Sequence, residues 1–284
     1  MSGTARTAPA ALGPDQRSVG GGISLEDVAV TYDTKDGTGV EAVRSASGRI
    51  PDGTFVSVIG PSGCGKSTLL DVVGGLLTPR RGQVVINGEP VTGPRRDTAM
   101  VFQDDSTLHW RTVLSNVAFG LEIAGVGRKE RESAARDIIQ LVGLGGFENR
   151  HPRELSGGMR QRVAIARALV VDPRILLMDE PFGALDQQTR MFMGRELLRV
   201  WDETRKSVLF VTHDIQEAVY LSDEVWVMSA RPSTFKDKVV VDLERPRGPD
   251  TMSSPRFHEL TGRVWETLRA ESEKVLHAEG RAAT

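Results

Sequence analysis

The chain has 284 residues, 39% of them hydrophobic, and its 36 Lys and Arg nearly balance 38 Asp and Glu to leave a formal charge of −2. That length suits one large domain with appendages, and the charge balance excludes the basic footprint of a protein that lives on nucleic acid or anionic lipid. A single cysteine, Cys64, excludes a disulfide framework, and no apolar run approaches the roughly 18 residues of a membrane span.

Residues 1–22 are small, polar and glycine-rich, with no apolar stretch of the kind a signal peptide carries. They are expected to form a disordered tail on a soluble protein of a reducing compartment. The first strand is expected from Ile23, where ISLEDVAVTY alternates in polarity, and further strands over 40–50, 54–59, 83–86 and 98–102. From about 112 to 170 the apolar spacing turns helical. Strand-like ILLM and VLFV then alternate with helical stretches over 189–204 and 214–221. This order predicts an α/β parallel-sheet core with a helical subdomain inserted at about 104–170. From about 245, after Pro246, Gly248 and Pro249, a last helix is expected to pack on its own domain through Phe257, Leu260, Val264, Trp265 and Leu268.

Three segments carry chemistry. Gly60-Pro61-Ser62-Gly63-Cys64-Gly65-Lys66-Ser67 follows a strand and precedes a helix. Its glycines let backbone N–H groups turn in on an anion, Lys66 can reach terminal phosphates, and the Ser67 hydroxyl can ligate Mg²⁺. After Arg174, the apolar run 175–178 leads into Asp179 and Glu180, two adjacent acids. One can hold a metal while the other polarises a water. Ser156-Gly157-Gly158 opens a helix. Ser156 suits an N-cap, and the glycine pair suits a backbone that something approaches closely.

Over residues 23–244 the chain resembles the ATP-binding subunit of ABC transporters, a P-loop NTPase with an N-terminal antiparallel β-subdomain. GPSGCGKST resembles Walker A, VFQDD the Q-loop, LSGGM the signature, ILLMDE Walker B, GALD the D-loop and VTHD the switch histidine. The resemblance implies that residues 60–68, with Lys66, Ser67 and Thr68 foremost, bind the phosphates of ATP and Mg²⁺. It implies Gln103 as sensor of metal and water, Asp179 as metal ligand, Glu180 as general base and His213 as partner of the terminal phosphate. Tyr32 takes the position that stacks on adenine. Ser156, Gly157 and Gly158 would meet the nucleotide of a second, head-to-tail copy, with Asp186 at the dimer interface. LHWRTVLSNVAFGLE, Met159 in the signature, SARP at 229–232 and ERPR at 244–247 are similar to the nitrate, sulfonate and taurine importer branch, from which His109 before Trp110 departs.

By that resemblance the partners are transmembrane permease subunits and a periplasmic or lipid-anchored solute-binding protein. The chain itself would sit on the cytoplasmic face of the membrane. Residues 103–120 would be the docking face, with Trp110 either a contact or buried in its own subdomain. Cys64 would react with thiol reagents that MgATP slows, unless it is buried and inert. The alternative is a non-transport ABC ATPase acting on nucleic acid or ribosomes. Near-neutral charge disfavours it, and so do the 90 positions from Lys66 to Ser156, too few for a long coiled coil. An unrelated P-loop kinase or GTPase would leave the paired glycines and His213 unexplained.

Overall fold

A computed structural model describes residues 22–33, 38–183 and 185–282. The expected tail therefore lies outside the described residues up to 21. Gly22 itself is not tail but the first residue of β1 (Gly22–Asp33), where it pairs with Pro51. β1 runs antiparallel to β2 (Gly39–Pro51), and a turn at 51–54 feeds β3 (Phe55–Ile59), followed by α1 (Lys66–Val73). β4 (Arg81–Ile86) pairs with the other edge of β1, β5 (Glu89–Pro90) pairs with β4, and β6 (Thr98–Val101) returns to the core.

Four helices then intervene: α2 (Val113–Val117), α3 (Phe119–Ile123), α4 (Arg128–Leu141) and α5 (Gly157–Leu169). Thr112 caps α2 and Ser156 caps α5, each accepting from a backbone N–H three residues on. β7 (Ile175–Asp179), α6 (Gln187–Thr204), β8 (Ser207–Val211) and α7 (Ile215–Leu221) complete the alternation. Two strands beyond those expected follow, β9 (Glu224–Met228) and β10 (Ser233–Val240), and α8 (Pro255–Ala282) ends the described chain.

The ten strands form one sheet in the order β5-β4-β1-β2-β10-β9-β3-β8-β7-β6. From β9 to β6 every pairing is parallel, as strands joined by helical crossovers require. Both faces of this part are covered, so its strands read as continuous apolar runs. Phe55, Met178, Phe210 and Val227 point to the face packed by Ile165, Leu198 and Phe257. Val58, Leu177, Leu209 and Trp226 point to the other, packed by Leu69 and Leu70 of α1 and by Ile23 and Val28 of β1. Two cores share one sheet.

α8 lies on its own domain, against α7, β9 and β10. Phe257, Leu260 and Val264 are buried, with Leu268 partly so. Trp265 is 56% exposed, contrary to expectation. It sits about 100° around the helix from Val264, off the stripe that steps by three and four.

α7 carries an acid in an unusual setting. Glu217 takes the Thr212 hydroxyl on Oε2, while its buried Oε1 has no partner. Burial pushes its carboxyl up to about 7, aided by the charges of Asp214 and Glu180 and opposed by Thr212 and Arg190. Between the ordinary value of 4.5 and about 7, the folded chain keeps a proton that the unfolded chain releases. Its contribution to stability is thus present at low pH and lost as pH rises through that window. Glu217→Gln should therefore become more stable relative to the parent as pH rises from about 5 to about 7.5. Thermal unfolding across that range checks this; a pH-independent difference would contradict it.

Candidate active site

Parallel register brings the candidate residues to one edge. Val58 of β3 lies abreast of Val211 of β8, Val211 abreast of Asp179 of β7, and Val101 of β6 abreast of Met178. The segments that follow these four strands, carrying Gly60, Glu180, His213 and Gln103, therefore leave the sheet at the same edge.

The phosphate-type loop closes on itself. Lys66 is only 6% exposed, and its ammonium donates to the carbonyls of Gly60 at 3.1 Å and Pro61 at 3.3 Å. It also stands 3.8 Å from Oε1 of Glu180. Glu180 is held on its other side by His213, whose Nδ1 lies 3.0 Å from Oε2. The backbone at Glu180 is left-handed, φ 41°, which costs a side-chain-bearing residue on the order of 1–3 kcal/mol. That turn, fixed by the Glu180 N–H to the Val211 carbonyl at 2.8 Å, separates the side chains of the two adjacent acids. Asp179 instead meets the Ser67 hydroxyl and leaves Oδ1 buried without a partner. Burial pushes the Asp179 carboxyl up, the Glu180 and Asp71 charges add to this, and Ser67 and Lys66 oppose it.

Ser62, Gly63, Gly65, Lys66, Ser67, Thr68, Gln103 and Glu180 line one cleft of about 340 Å³. Tyr32 stands at its end, 41% exposed, with its hydroxyl 3.0 Å from Thr68 Oγ1. Cys64 belongs to the loop through its backbone only. Its side chain is 1% exposed in the core beneath, and burial pushes the thiol up. The expected reaction with thiol reagents is thereby overturned.

Two groups stand apart from this cleft. Ser156, Gly157 and Gly158 do not line it, nor does Asp186. Ser156 and Gly157 are exposed at the start of α5. A Cβ on Gly158 would come 3.1 Å from Thr189 Cγ2, so contact with α6 accounts for that glycine, whereas Gly157 has no such crowding. Asp186 caps α6, accepting from the Thr189 N–H at 3.0 Å and its hydroxyl at 2.6 Å.

The sequence reading missed two cations here. Arg231 lines the cleft beside Lys66. Arg190 joins the segment after Glu180 to the one carrying His213, donating to the Leu185 carbonyl at 3.0 Å and to Asp214 at 3.1 Å. The only signal for Arg231 lay in the SARP run, and Arg190 carried none. Among the described residues, no three His, Cys, Asp or Glu side chains gather as a metal cage.

Comparison with known proteins agrees with this geometry. The ABC transporter family model matches residues 43–183. An uncharacterised ABC transporter ATP-binding protein of Methanocaldococcus jannaschii is 48% identical over 241 residues, 85% of this chain and 89% of its own. The taurine import ATP-binding protein of Burkholderia thailandensis is 45% identical over 258 residues, 89% of this chain and 99% of its own. Among solved structures, the dimer of a bacterial ABC transporter cassette matches with a TM-score of 0.69 at 33% identity, covering 80% of this chain and 99% of that one. A dimeric post-hydrolysis cassette bound to ADP and Pi matches over the same shares, with the same TM-score, at 32% identity. A glycine-rich loop between strand and helix, an acid set between Lys66 and His213, and relatives matched along nearly their whole length lead to one assignment: the chain belongs to the ABC transporter family, as an ATP-binding subunit that hydrolyses ATP.

Proposed function

We propose that this chain drives an importer for a small anionic solute of the nitrate, sulfonate or taurine kind. It would act on the cytoplasmic face of the membrane, through permease subunits supplied by a solute-binding protein. The observation that carries the catalytic part is the placement of Glu180 between Lys66 and His213 at the mouth of the phosphate loop. Identity with taurine import proteins supports the solute class. No described helix is long and apolar enough to cross a membrane, so a translocation path would come from partner subunits. Trp110, 74% exposed rather than buried in its own subdomain, is a candidate permease contact.

In this reading the N–H groups of residues 62–68 and the Lys66 ammonium hold the β- and γ-phosphates of ATP. The Tyr32 ring stacks on the base. Ser67 and Asp179 fit Mg²⁺, with Gln103 beside them, because the buried and unpartnered Asp179 Oδ1 requires a cation or a proton. One carboxylate and one hydroxyl suffice, since Mg²⁺ draws its remaining ligands from phosphate and water. The ion, when bound, neutralises charge on the phosphates. Glu180 takes the proton of the attacking water, and His213 orients both Glu180 and the terminal phosphate. Ser156, Gly157 and Gly158, which lie outside the cleft with Ser156 and Gly157 exposed, serve the nucleotide of a second copy, with Asp186 at the interface between them.

Glu180→Gln should lower steady-state hydrolysis at least about a hundredfold while ATP binding persists, because only the base is lost. Near-normal turnover would place the base elsewhere. With its permease in vesicles, the wild-type chain should hydrolyse ATP faster when a loaded sulfonate-type binding protein is added. Equal rates with and without that loaded binding protein, on a correctly assembled permease, would contradict the proposed import of such a solute.

A further inference from the structure

The phosphate loop rests on the turn that joins β9 to β10, and the two run side by side. A Cβ on Gly60 would come 3.1 Å from Met228, and one on Gly65 would come 3.6 Å from Ser233 Oγ. Between these points, Arg231 donates to the Gly63 carbonyl. Gly63 is the loose point of the loop, with φ +71° and open space where a side chain would be. Free rotation there would let its carbonyl swing towards a bound anion. A guanidinium holding that carbonyl fixes the peptide plane before phosphate arrives, which lowers the cost of binding.

The turn is itself pinned from behind. Ser229 and Thr234 close it with bonds of 2.9 and 3.0 Å, and Ser233 donates to the Ala42 carbonyl at 3.0 Å. On the far side, the Ala230 N–H donates to Glu271 Oε2 at 3.1 Å. Glu271 continues the buried stripe of α8 and is 5% exposed, with Lys274 on its other oxygen. A carboxylate on an apolar stripe is costly unless it is bonded, and here its partner is the turn carrying Arg231.

We propose that Arg231 is a positioning residue for the phosphate loop and that Glu271 holds the turn bearing it, so that α8 sets the affinity of the site for ATP. The proposal rests on the reading of residues 60–68 as the nucleotide site. In the full chain, Arg231→Ala should raise the Kd and KM for ATP about tenfold, as loss of one charge-assisted hydrogen bond does, with kcat within about twofold. Arg231→Lys, which keeps a charged donor, should recover part of that affinity. Glu271→Ala should raise Kd about threefold and add nothing in the Arg231→Ala background, because both act through one contact. An unchanged Kd in Arg231→Ala overturns the proposal, even where the thermal midpoint falls, since the contact would then be structural only. Additive effects of the two alanine substitutions overturn it as well. Failure of the wild-type chain to bind ATP in the same titration would instead defeat the nucleotide-site reading beneath it.

Discussion

Parallel pairing of β3, β8 and β7 holds Val58, Val211 and Asp179 abreast, and the residues of the cleft inherit their places from that register. A strand slipped by one residue would send each apolar side chain to the wrong core and each functional loop to the wrong depth. The two cores guard against this. Because alternate residues of β3, β7, β8 and β9 feed opposite clusters, either slip would bury the wrong set. The precision of the site is thus a by-product of apolar packing several ångströms below it.

That edge carries features the rest of the domain must offset. Lys66 is nearly buried, Asp179 has an oxygen without a partner, and Glu180 sits in a backbone conformation that its side chain disfavours. Each is unfavourable in the folded chain by itself, and the proposed nucleotide would answer two of the three: phosphate for Lys66 and a cation for Asp179. Backbone strain at Glu180 and an unpartnered oxygen on Asp179, gathered at one sheet edge, suit a preorganised site.

Much of this was legible in the sequence because it depends on local chemistry. A glycine-rich loop between a buried strand and a helix has few alternatives, and acids ending an apolar run must emerge at a strand end. The serine before two glycines was readable as a cap. What escaped depends on tertiary direction. Cys64 lies in a loop whose backbone faces the cleft, yet its side chain faces the core. Trp265 shares the polarity of its neighbours but not their angle around the helix. Arg231 reaches the loop from 168 residues away, and Arg190 ties two loops that spacing along the chain does not relate. Nothing in the spacing marks Glu217, whose carboxylate meets the Thr212 hydroxyl and leaves one buried oxygen without a partner.

The proposed nucleotide site needs a second copy to complete it, since Lys66 lies in the cleft while Ser156 and Gly157 are exposed outside it. Lys66→Ala and Ser156→Arg should each inactivate the homodimer. Mixed where heterodimers are demonstrated, they leave one of two sites with both residues intact in a shared arrangement, and none in a self-contained one. Recovery of ATP hydrolysis in the mixture, to as much as about half the wild-type rate and less if the sites depend on each other, is the predicted result. Demonstrated heterodimers without any recovered hydrolysis would contradict the shared site.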